Sequence, residues 1–94
     1  ELNLRIEVET RNLDEVWQVL KTGRVDRIML DNYSLEALRE AVKVIDKQFE
    51  TEASGGVNLN TVKAIAETGV DFISVGELTH SVKSLDLSFK AVVA

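Results

Sequence analysis

The 94-residue sequence contains no cysteine and no proline. Without cysteine, the chain has no disulfide, no thiolate metal site and no cysteine nucleophile, and its composition fits a reducing compartment such as the cytoplasm. Without proline, no proline-rich linker divides it, and this length allows a single domain at most. No apolar run approaches the ~20 residues that a membrane-spanning helix needs, so we expect no membrane partner.

Basic residues are also in the minority, with 11 lysines and arginines against 16 aspartates and glutamates and a net charge of −5. The basic residues are scattered along the chain, whereas nucleic-acid binding requires them in clusters. We therefore expect no nucleic-acid partner. The start, ELNLRIEVE, has neither a secretory leader nor an amphipathic presequence, which favours a cytoplasmic location. It has no initiator methionine, so we interpret the 94 residues as a piece of a longer chain.

The sequence repeats a helix pattern. The first copy contains Asn12-Leu13, Val16, Thr22-Gly23 and Val25-Asp26, and the second contains Asn58-Leu59, Val62, Thr68-Gly69 and Val70-Asp71. Each copy predicts a helix with an asparagine N-cap and a glycine C-cap, followed by a strand. In these helices we expect Trp17 and Leu59 to be buried. A third helix is predicted from about Leu35 to Lys47, with Ser34 as its cap.

Four strands are predicted, and their last residues are each 22 positions apart: Leu4 to Glu9, Arg27 to Asp31, Phe49 to Ala53, and Phe72 to Val75. The order βαβαβαβ implies parallel strands joined by right-handed crossovers. Both an open doubly wound sheet and a TIM-like barrel use such units, and the equal spacing favours the barrel. Since a full barrel needs about 250 residues, residues 1–94 are interpreted as a single partial domain, about half of a barrel.

Ligands in both architectures bind beyond the carboxyl ends of the strands. Glu9 and Asp31 end two consecutive strands, where two carboxylates can hold Mg²⁺ or accept hydrogen bonds from sugar hydroxyls. The alternative is a solvated strand end and an ordinary turn residue before Asn32. Two more carboxylates, Glu50 and Glu52, share one strand face, and inside a small barrel they would need partners.

Glycines follow the third and fourth strands. Ser54, Gly55 and Gly56 can approach a phosphate closely, with the positive end of the helix after Asn58 nearby. The alternative is a βα turn that needs positive φ angles. Val75-Gly76 ends the fourth strand before an expected short helix. His80, the only histidine, can bond a phosphate or donate a proton to a leaving group, or it is simply a structural residue.

Read in order, the strand-end motifs RIEVET, RIMLDN, FETEASGGVNL and ISVGELTHSVKSLDLS resemble one enzyme family. They are similar to the carboxy-terminal part of quinolinate phosphoribosyltransferase (nicotinate-nucleotide pyrophosphorylase, carboxylating), from about Asn3 to Phe89. The resemblance implies a glycosyltransferase of NAD biosynthesis that uses Mg²⁺. Its substrates are quinolinate and phosphoribosyl diphosphate, and its products are nicotinate mononucleotide, pyrophosphate and CO₂. It also implies an incomplete barrel preceded by a separate domain, and a homodimer in the full-length protein.

The same resemblance implies roles for the residues of the motifs. Glu9 and Asp31 act on the ribose hydroxyls and Mg²⁺. The 5′-phosphate lies in a cradle formed by Ser54, Gly55, Gly56, Val75 and Gly76. His80 lies at the edge of that site.

Two departures limit what this segment is expected to do. Glu77 stands where the family usually has a small residue, and a carboxylate beside a phosphate is repulsive. The basic cluster that binds quinolinate in the family comes from upstream of Glu1, in the rest of the parent chain. We therefore expect the isolated segment to be inactive. The alternative hypothesis is a non-catalytic half-barrel module that associates through its open sheet edges.

Overall fold

A computed structural model describes residues 5–85 of the chain. The elements in order are β1 (Glu7–Thr10), α1 (Leu13–Thr22), β2 (Arg27–Asp31), α2 (Leu35–Ile45), β3 (Glu50–Ser54), α3 (Val62–Ala66), β4 (Phe72–Val75) and β5 (Leu78–Ser81). In this part of the chain no helix is long and apolar enough to cross a membrane.

The strands form one sheet in the order β1-β2-β3-β4-β5, and the first four are parallel. With right-handed crossovers, a sequential strand order places every connecting helix on the same face, as in a barrel. A doubly wound sheet would reverse its strand order and place helices on both faces. The barrel-type α/β fold is therefore confirmed.

The fifth strand corrects the sequence prediction of a helix directly after Val75-Gly76. β5 runs antiparallel to β4, with Val75 opposite Leu78. Gly76 has a φ of 64°, and a glycine at the first position of a two-residue loop is typical of a β-hairpin turn. Helical residues begin only at Val82.

Side-chain caps explain where the first two helices begin, and left-handed residues explain where they end. The Asn12 side chain accepts a hydrogen bond from the Glu15 N–H at 2.9 Å, and Gly23 ends α1 in the left-handed conformation. Ser34 caps α2 at Ala37 as predicted. Helix α2 ends at Ile45 rather than Lys47, because Asp46 is left-handed at a φ of 49°.

The predicted helix after Asn58 begins later than expected. The Asn58 side chain accepts hydrogen bonds from the N–H groups of Asn60 and Thr61, so it caps a turn, and α3 starts at Val62. As a result Leu59 is 94% exposed, and the prediction that it is buried was wrong. Trp17 was also predicted to be buried, but it is 49% exposed on α1.

The hydrophobic core lies between the sheet and the helices. Its largest fully buried apolar side chains come from strands β2 and β4 and helices α1 and α2: Ile28, Leu30, Ile45, Ile73 and Val16. β2 and β4 have the predicted bounds, whereas β1 and β3 extend one residue further, to Thr10 and Ser54. Each predicted strand-end residue therefore lies at or next to the carboxyl end of its strand.

Candidate active site

The sheet face away from the core is polar. Successive side chains of a strand point to opposite faces, so the residues between the core positions share the other face. The register aligns Glu7 with Arg27 and Glu50, and Glu9 with Met29 and Glu52. In a closed barrel this face is the interior.

Arg27 is the centre of an ion cluster on this face. Its guanidinium lies 3.1 Å from Oε1 of Glu50 and 3.1 Å from Oε1 of Glu52, and Arg5 also pairs with Glu50. Its Cζ lies 3.8 Å from the centre of the Phe72 ring, within cation–π distance. The prediction that Glu50 and Glu52 share a face and have partners is confirmed.

Glu52 is a buried carboxylate with several hydrogen-bond donors. Its side chain is 3% exposed and accepts hydrogen bonds from Ser74 and, at 3.4 Å, from Thr79. Burial opposes ionisation, but hydrogen bonds from Ser74, Glu7 and Arg27 outweigh it and hold the pKa of Glu52 below its ordinary value. Partial burial and the neighbouring Glu52 raise the pKa of Glu7. Arg27 and Glu50 begin their strands, so the cluster lies toward the amino ends of the strands.

At the carboxyl ends, β2 and β3 meet through Asp31 and Ser54, which are opposite each other in the sheet. The Ser54 hydroxyl donates a hydrogen bond to Oδ1 of Asp31 at 3.0 Å. The N–H of Asn32 donates to the carbonyl oxygen of Ser54 at 2.7 Å. Two of the predicted site residues are therefore in direct contact, and the hydrogen bond fixes one oxygen of the Asp31 carboxylate.

Gly55 packs tightly against the turn that follows β2. Its φ is +81°, and a Cβ there would lie 3.1 Å from the Asn32 nitrogen and 3.2 Å from Oδ1 of Asp31. Gly56 also has a positive φ, +66°, but has room for a side chain. The positive φ and the close packing both favour glycine at position 55, so its presence does not distinguish a phosphate cradle from a turn.

Hydrogen bonds hold the glycine loop in place. The Thr61 hydroxyl donates to the carbonyl oxygen of Gly56 at 3.1 Å and accepts from the Asn58 N–H at 3.0 Å. Among the hydrogen bonds of residues 5–85, none outside the sheet ladder uses the N–H of Gly55 or Gly56. Any N–H group of these two glycines that the ladder leaves free is a hydrogen-bond donor on this loop. The helix that was expected to offer its positive end, α3, begins eight residues after Ser54 and is five residues long.

Glu9 lies on the same sheet face as Asp31 but is not directly opposite it. Its register partner on β2 is Met29, two residues before Asp31. Its exposed carboxylate is 3.9 Å from the Arg11 guanidinium. Within the described residues, no group of three His, Cys, Asp or Glu side chains could hold a metal by itself. Mg²⁺ is usually bound by one or two carboxylates together with substrate phosphates and water. Glu9 and Asp31 could supply the two carboxylates of such a site, but they would not surround the ion by themselves.

The β4–β5 hairpin contributes Val75, Gly76 and Glu77 at the same end of the sheet. Gly76 and Glu77 are exposed. The register places His80 opposite Ile73, on the core side of the sheet. The structure therefore brings Asp31, Ser54 and Gly55 together and places His80 on the opposite face.

Three residues of this region were not singled out from the sequence. Asn32 has a left-handed φ of 61° and forms the surface on which Gly55 packs. An asparagine after a strand-end aspartate was the available signal, since asparagine tolerates this conformation. Thr10 and Tyr33 form a hydrogen-bonded pair at 2.8 Å, for which the sequence offered no signal.

Comparison with known proteins identifies the family. Residues 1–90 match the family described as quinolinate phosphoribosyl transferase, C-terminal domain. The chain is 48% identical to the chloroplastic nicotinate-nucleotide pyrophosphorylase [carboxylating] of Arabidopsis thaliana, over 95% of the chain and 30% of that protein. It is 45% identical to a probable nicotinate-nucleotide pyrophosphorylase [carboxylating] of Methanocaldococcus jannaschii, over 94% of the chain and 33% of that protein.

The fold agrees with the solved structure of a protein that carries the same enzyme name as these relatives. The nicotinate-nucleotide pyrophosphorylase of Francisella tularensis superposes with a TM-score of 0.74 and 41% identity. That match covers 84% of this chain and 29% of the other. The chain thus spans about a third of the length of the relatives that it matches.

Proposed function

Because this chain belongs to the quinolinate phosphoribosyl transferase C-terminal-domain family, we propose that it is the carboxy-terminal half of that enzyme's catalytic barrel. The full-length enzyme transfers a phosphoribosyl group from phosphoribosyl diphosphate to quinolinate with decarboxylation. The products are nicotinate mononucleotide, pyrophosphate and CO₂. The names of the relatives support this reaction, and their length supports a larger protein around the segment.

The observation that carries the proposal is the junction between Asp31 and the glycine loop. A carboxylate that can bind a sugar hydroxyl or Mg²⁺ is hydrogen-bonded to Ser54, which begins the glycine loop, and outside the sheet ladder no hydrogen bond of residues 5–85 uses the N–H groups of Gly55 and Gly56. Ribose 5-phosphate carries hydroxyls and an anion at opposite ends. A site with these two parts matches both ends of the phosphoribosyl group.

In this proposal Glu9 and Asp31 would hold Mg²⁺ and accept hydrogen bonds from the ribose hydroxyls. The ion would neutralise phosphate charge when bound. Ser54 orients the Asp31 carboxylate through its hydrogen bond, so the acceptor is in position before substrate arrives. Two carboxylates near the ribose also favour the positive charge that develops on the sugar as its bond to pyrophosphate breaks.

The 5′-phosphate would lie between the two loops. We assign the cradle to Ser54, Gly55, Gly56, Val75 and Gly76. Glu77 is at its rim, where its charge weakens phosphate binding unless the side chain points outward. We leave His80 out, because the register places it on the other face of the sheet.

The remaining parts of the site would come from elsewhere. The groups that bind the carboxylates of quinolinate belong to the rest of the parent chain, and a homodimer completes each site. The separate segment is then inactive. We place the full-length protein in the cytoplasm, which cell fractionation with an antibody to this segment would test.

Asp31→Asn in the full-length protein that contains this segment tests the proposal. The variant keeps the shape of the side chain but removes its charge, and we expect the rate of nicotinate mononucleotide formation to fall about 100-fold or more. Asp14→Asn, on the exposed side of α1, is the matched control and should retain normal activity. Equal activity of Asp31→Asn and the unmodified protein would refute the assignment.

A second candidate function follows from the sheet edges. Within residues 5–85, β1 and β5 are the edge strands of the sheet. Ile6, directly before β1, is 48% exposed, and Leu78, the first residue of β5, is 65% exposed. Unpaired edges promote association. A non-catalytic module would form dimers in sedimentation experiments and would give no activity when supplied with the amino-terminal part of a relative. Restored activity on mixing would favour the enzyme.

A further inference from the structure

Two hydroxyl groups join the first two strand ends. Thr10 ends β1 directly after Glu9 and is 1% exposed. Its Oγ1 lies 3.0 Å from the carbonyl oxygen of Met29 and 2.8 Å from the hydroxyl of Tyr33. The Tyr33 hydroxyl lies 2.9 Å from the carbonyl oxygen of Asn12. We call this set the Thr10–Tyr33 bridge, since it links the loop after β1 to the loop after β2.

The bridge has two hydroxyl protons for three contacts. When Tyr33 donates to the Asn12 carbonyl, Thr10 can donate either to Tyr33 or to the Met29 carbonyl. Every arrangement leaves at least one hydrogen bond between the two strand-end segments.

The bridge lies on the core side of the sheet. Thr10 pairs with Leu30, a core residue, whereas Glu9 and Asp31 occupy the alternate positions on the other face. Tyr33 packs against the core and follows Asp31 by two residues. The bridge therefore does not touch a ligand between the two carboxylates. It restrains the strand ends from which both carboxylates project.

We propose that Tyr33 is a positioning residue that, with Thr10, sets the separation of Glu9 and Asp31 for a magnesium–phosphoribosyl ligand. This inference rests on the proposed function. Residues that orient metal-binding side chains without touching the metal commonly change affinity by 10- to 100-fold when they are altered. The described structure offers no other side-chain hydrogen bond between the loop after β1 and the loop after β2.

The test measures ligand binding without turnover in the full-length protein that contains this segment. Isothermal titration with phosphoribosyl diphosphate is performed with and without Mg²⁺, in the absence of quinolinate. We expect Tyr33→Phe, which keeps the ring and loses the hydroxyl, to weaken Mg²⁺-dependent binding about tenfold. Thr10→Val should have a similar effect. The double variant should bind only slightly more weakly than either single variant, because each of the three variants breaks the same bridge.

Controls separate positioning from folding. Thr10→Ser keeps the hydroxyl and should bind normally. Thr68→Val removes a hydroxyl that donates to the Ile65 carbonyl, away from the strand ends, and should also bind normally. A substitution that only unfolded a fraction of the molecules would lower the number of binding sites measured per protein. It would leave the dissociation constant of the folded molecules unchanged.

Two negative results have different meanings. If the unmodified protein does not bind phosphoribosyl diphosphate, the proposed function fails, and the positioning role fails with it. If the unmodified protein binds with Mg²⁺ dependence and Tyr33→Phe has the same dissociation constant, only the positioning role is overturned. Additive effects of the Tyr33 and Thr10 substitutions would also overturn it.

Discussion

The two copies of the repeated unit, β1–α1–β2 and β3–α3–β4, agree at the amino ends of their strands and differ at the carboxyl ends. In the first copy, Asp26 accepts a hydrogen bond from the N–H of Ile6, 20 residues upstream, at 2.6 Å. In the second, Asp71 accepts one from the N–H of Thr51, also 20 residues upstream, at 2.9 Å. In each copy an aspartate at the equivalent position therefore joins the two strands of the pair in the same way.

At the other end the copies diverge. The first passes from Thr10 to a helix that begins at Leu13, whereas the second passes from Ser54 to a helix that begins at Val62. The longer connection contains the glycine loop and its turn. A repeated frame with one altered connection explains how similar units provide different parts of one site.

The largest difference is expected between the equivalent glutamates of the copies, Glu7 and Glu52. Glu52→Gln removes the charge of a side chain that is 3% exposed and bonded to Arg27. We expect it to lower the free energy of unfolding by about 2 to 3 kcal/mol at pH 7, since Arg27 keeps only Glu50. Glu7→Gln removes a carboxylate with a raised pKa and should not destabilise the protein. Urea denaturation of both variants measures the difference, and equal losses would contradict it.

The pH dependence of the same two variants should have opposite signs. The pKa of Glu52 is lowered by folding, so its stabilising contribution is present above the unfolded pKa of about 4.3 and is lost as pH falls through the folded value. The pKa of Glu7 is raised, so its contribution is present at low pH and is lost as pH rises through the folded value.

Urea midpoints measured from pH 3 to pH 7 test these signs. The deficit of Glu52→Gln should shrink toward low pH, while Glu7→Gln should gain on the unmodified protein as the pH rises. Parallel curves for the two variants would mean that at least one of the two pKa values does not shift on folding in the stated direction.

A smaller difference is expected between two glycines with positive φ, Gly55 and Gly23. Alanine at either site adopts a left-handed conformation, which costs about 1 kcal/mol or more. At Gly55 the new Cβ would also lie 3.1 Å from the Asn32 nitrogen, whereas at Gly23 nothing lies within 4 Å. We expect Gly55→Ala to lose about 1 kcal/mol more than Gly23→Ala in thermal unfolding. Equal losses would mean that the turn at Asn32 moves aside freely.

The smallest difference is expected between the register aspartates. Asp71 accepts from both the N–H and the hydroxyl of Thr51, which is 3% exposed, whereas Asp26 accepts from an exposed backbone N–H. We expect Asp71→Ala to cost about 1 kcal/mol and Asp26→Ala about 0.5 kcal/mol. Hydrogen exchange at the Thr51 and Ile6 amides would locate the effect, and a larger loss at Asp26 would contradict the comparison.

The parts of the fold that followed from the sequence are those with local causes. β2 and β4 have their predicted bounds, and Asn12 and Ser34 cap the helices that their positions indicated. Near Asn58 two possible cap residues lie three positions apart, and Thr61 rather than Asn58 became the N-cap. Local pattern could not decide between them.

Tertiary contacts decided the rest. Helical spacing placed Trp17 on the apolar stripe of α1, but burial depends on a neighbouring element, and the described residues leave it half exposed. The contact of Asp31 with Ser54 depends on strand register, and the sequence predicted the ends of these strands, Asp31 and Ala53, but not their register. The side of the sheet on which His80 lies was not predictable without the hairpin.

The Thr61 hydrogen bonds that hold the glycine loop also affect the entropy of binding. Ordering a free backbone costs roughly 1 to 2 kcal/mol per residue, and a loop that must be ordered by its ligand subtracts that cost from the affinity. Here Thr61 bonds to Gly56 and Asn58 within the protein itself, so much of the ordering is complete before binding. In the proposed site, an anion would therefore bind to the loop with little loss of chain freedom.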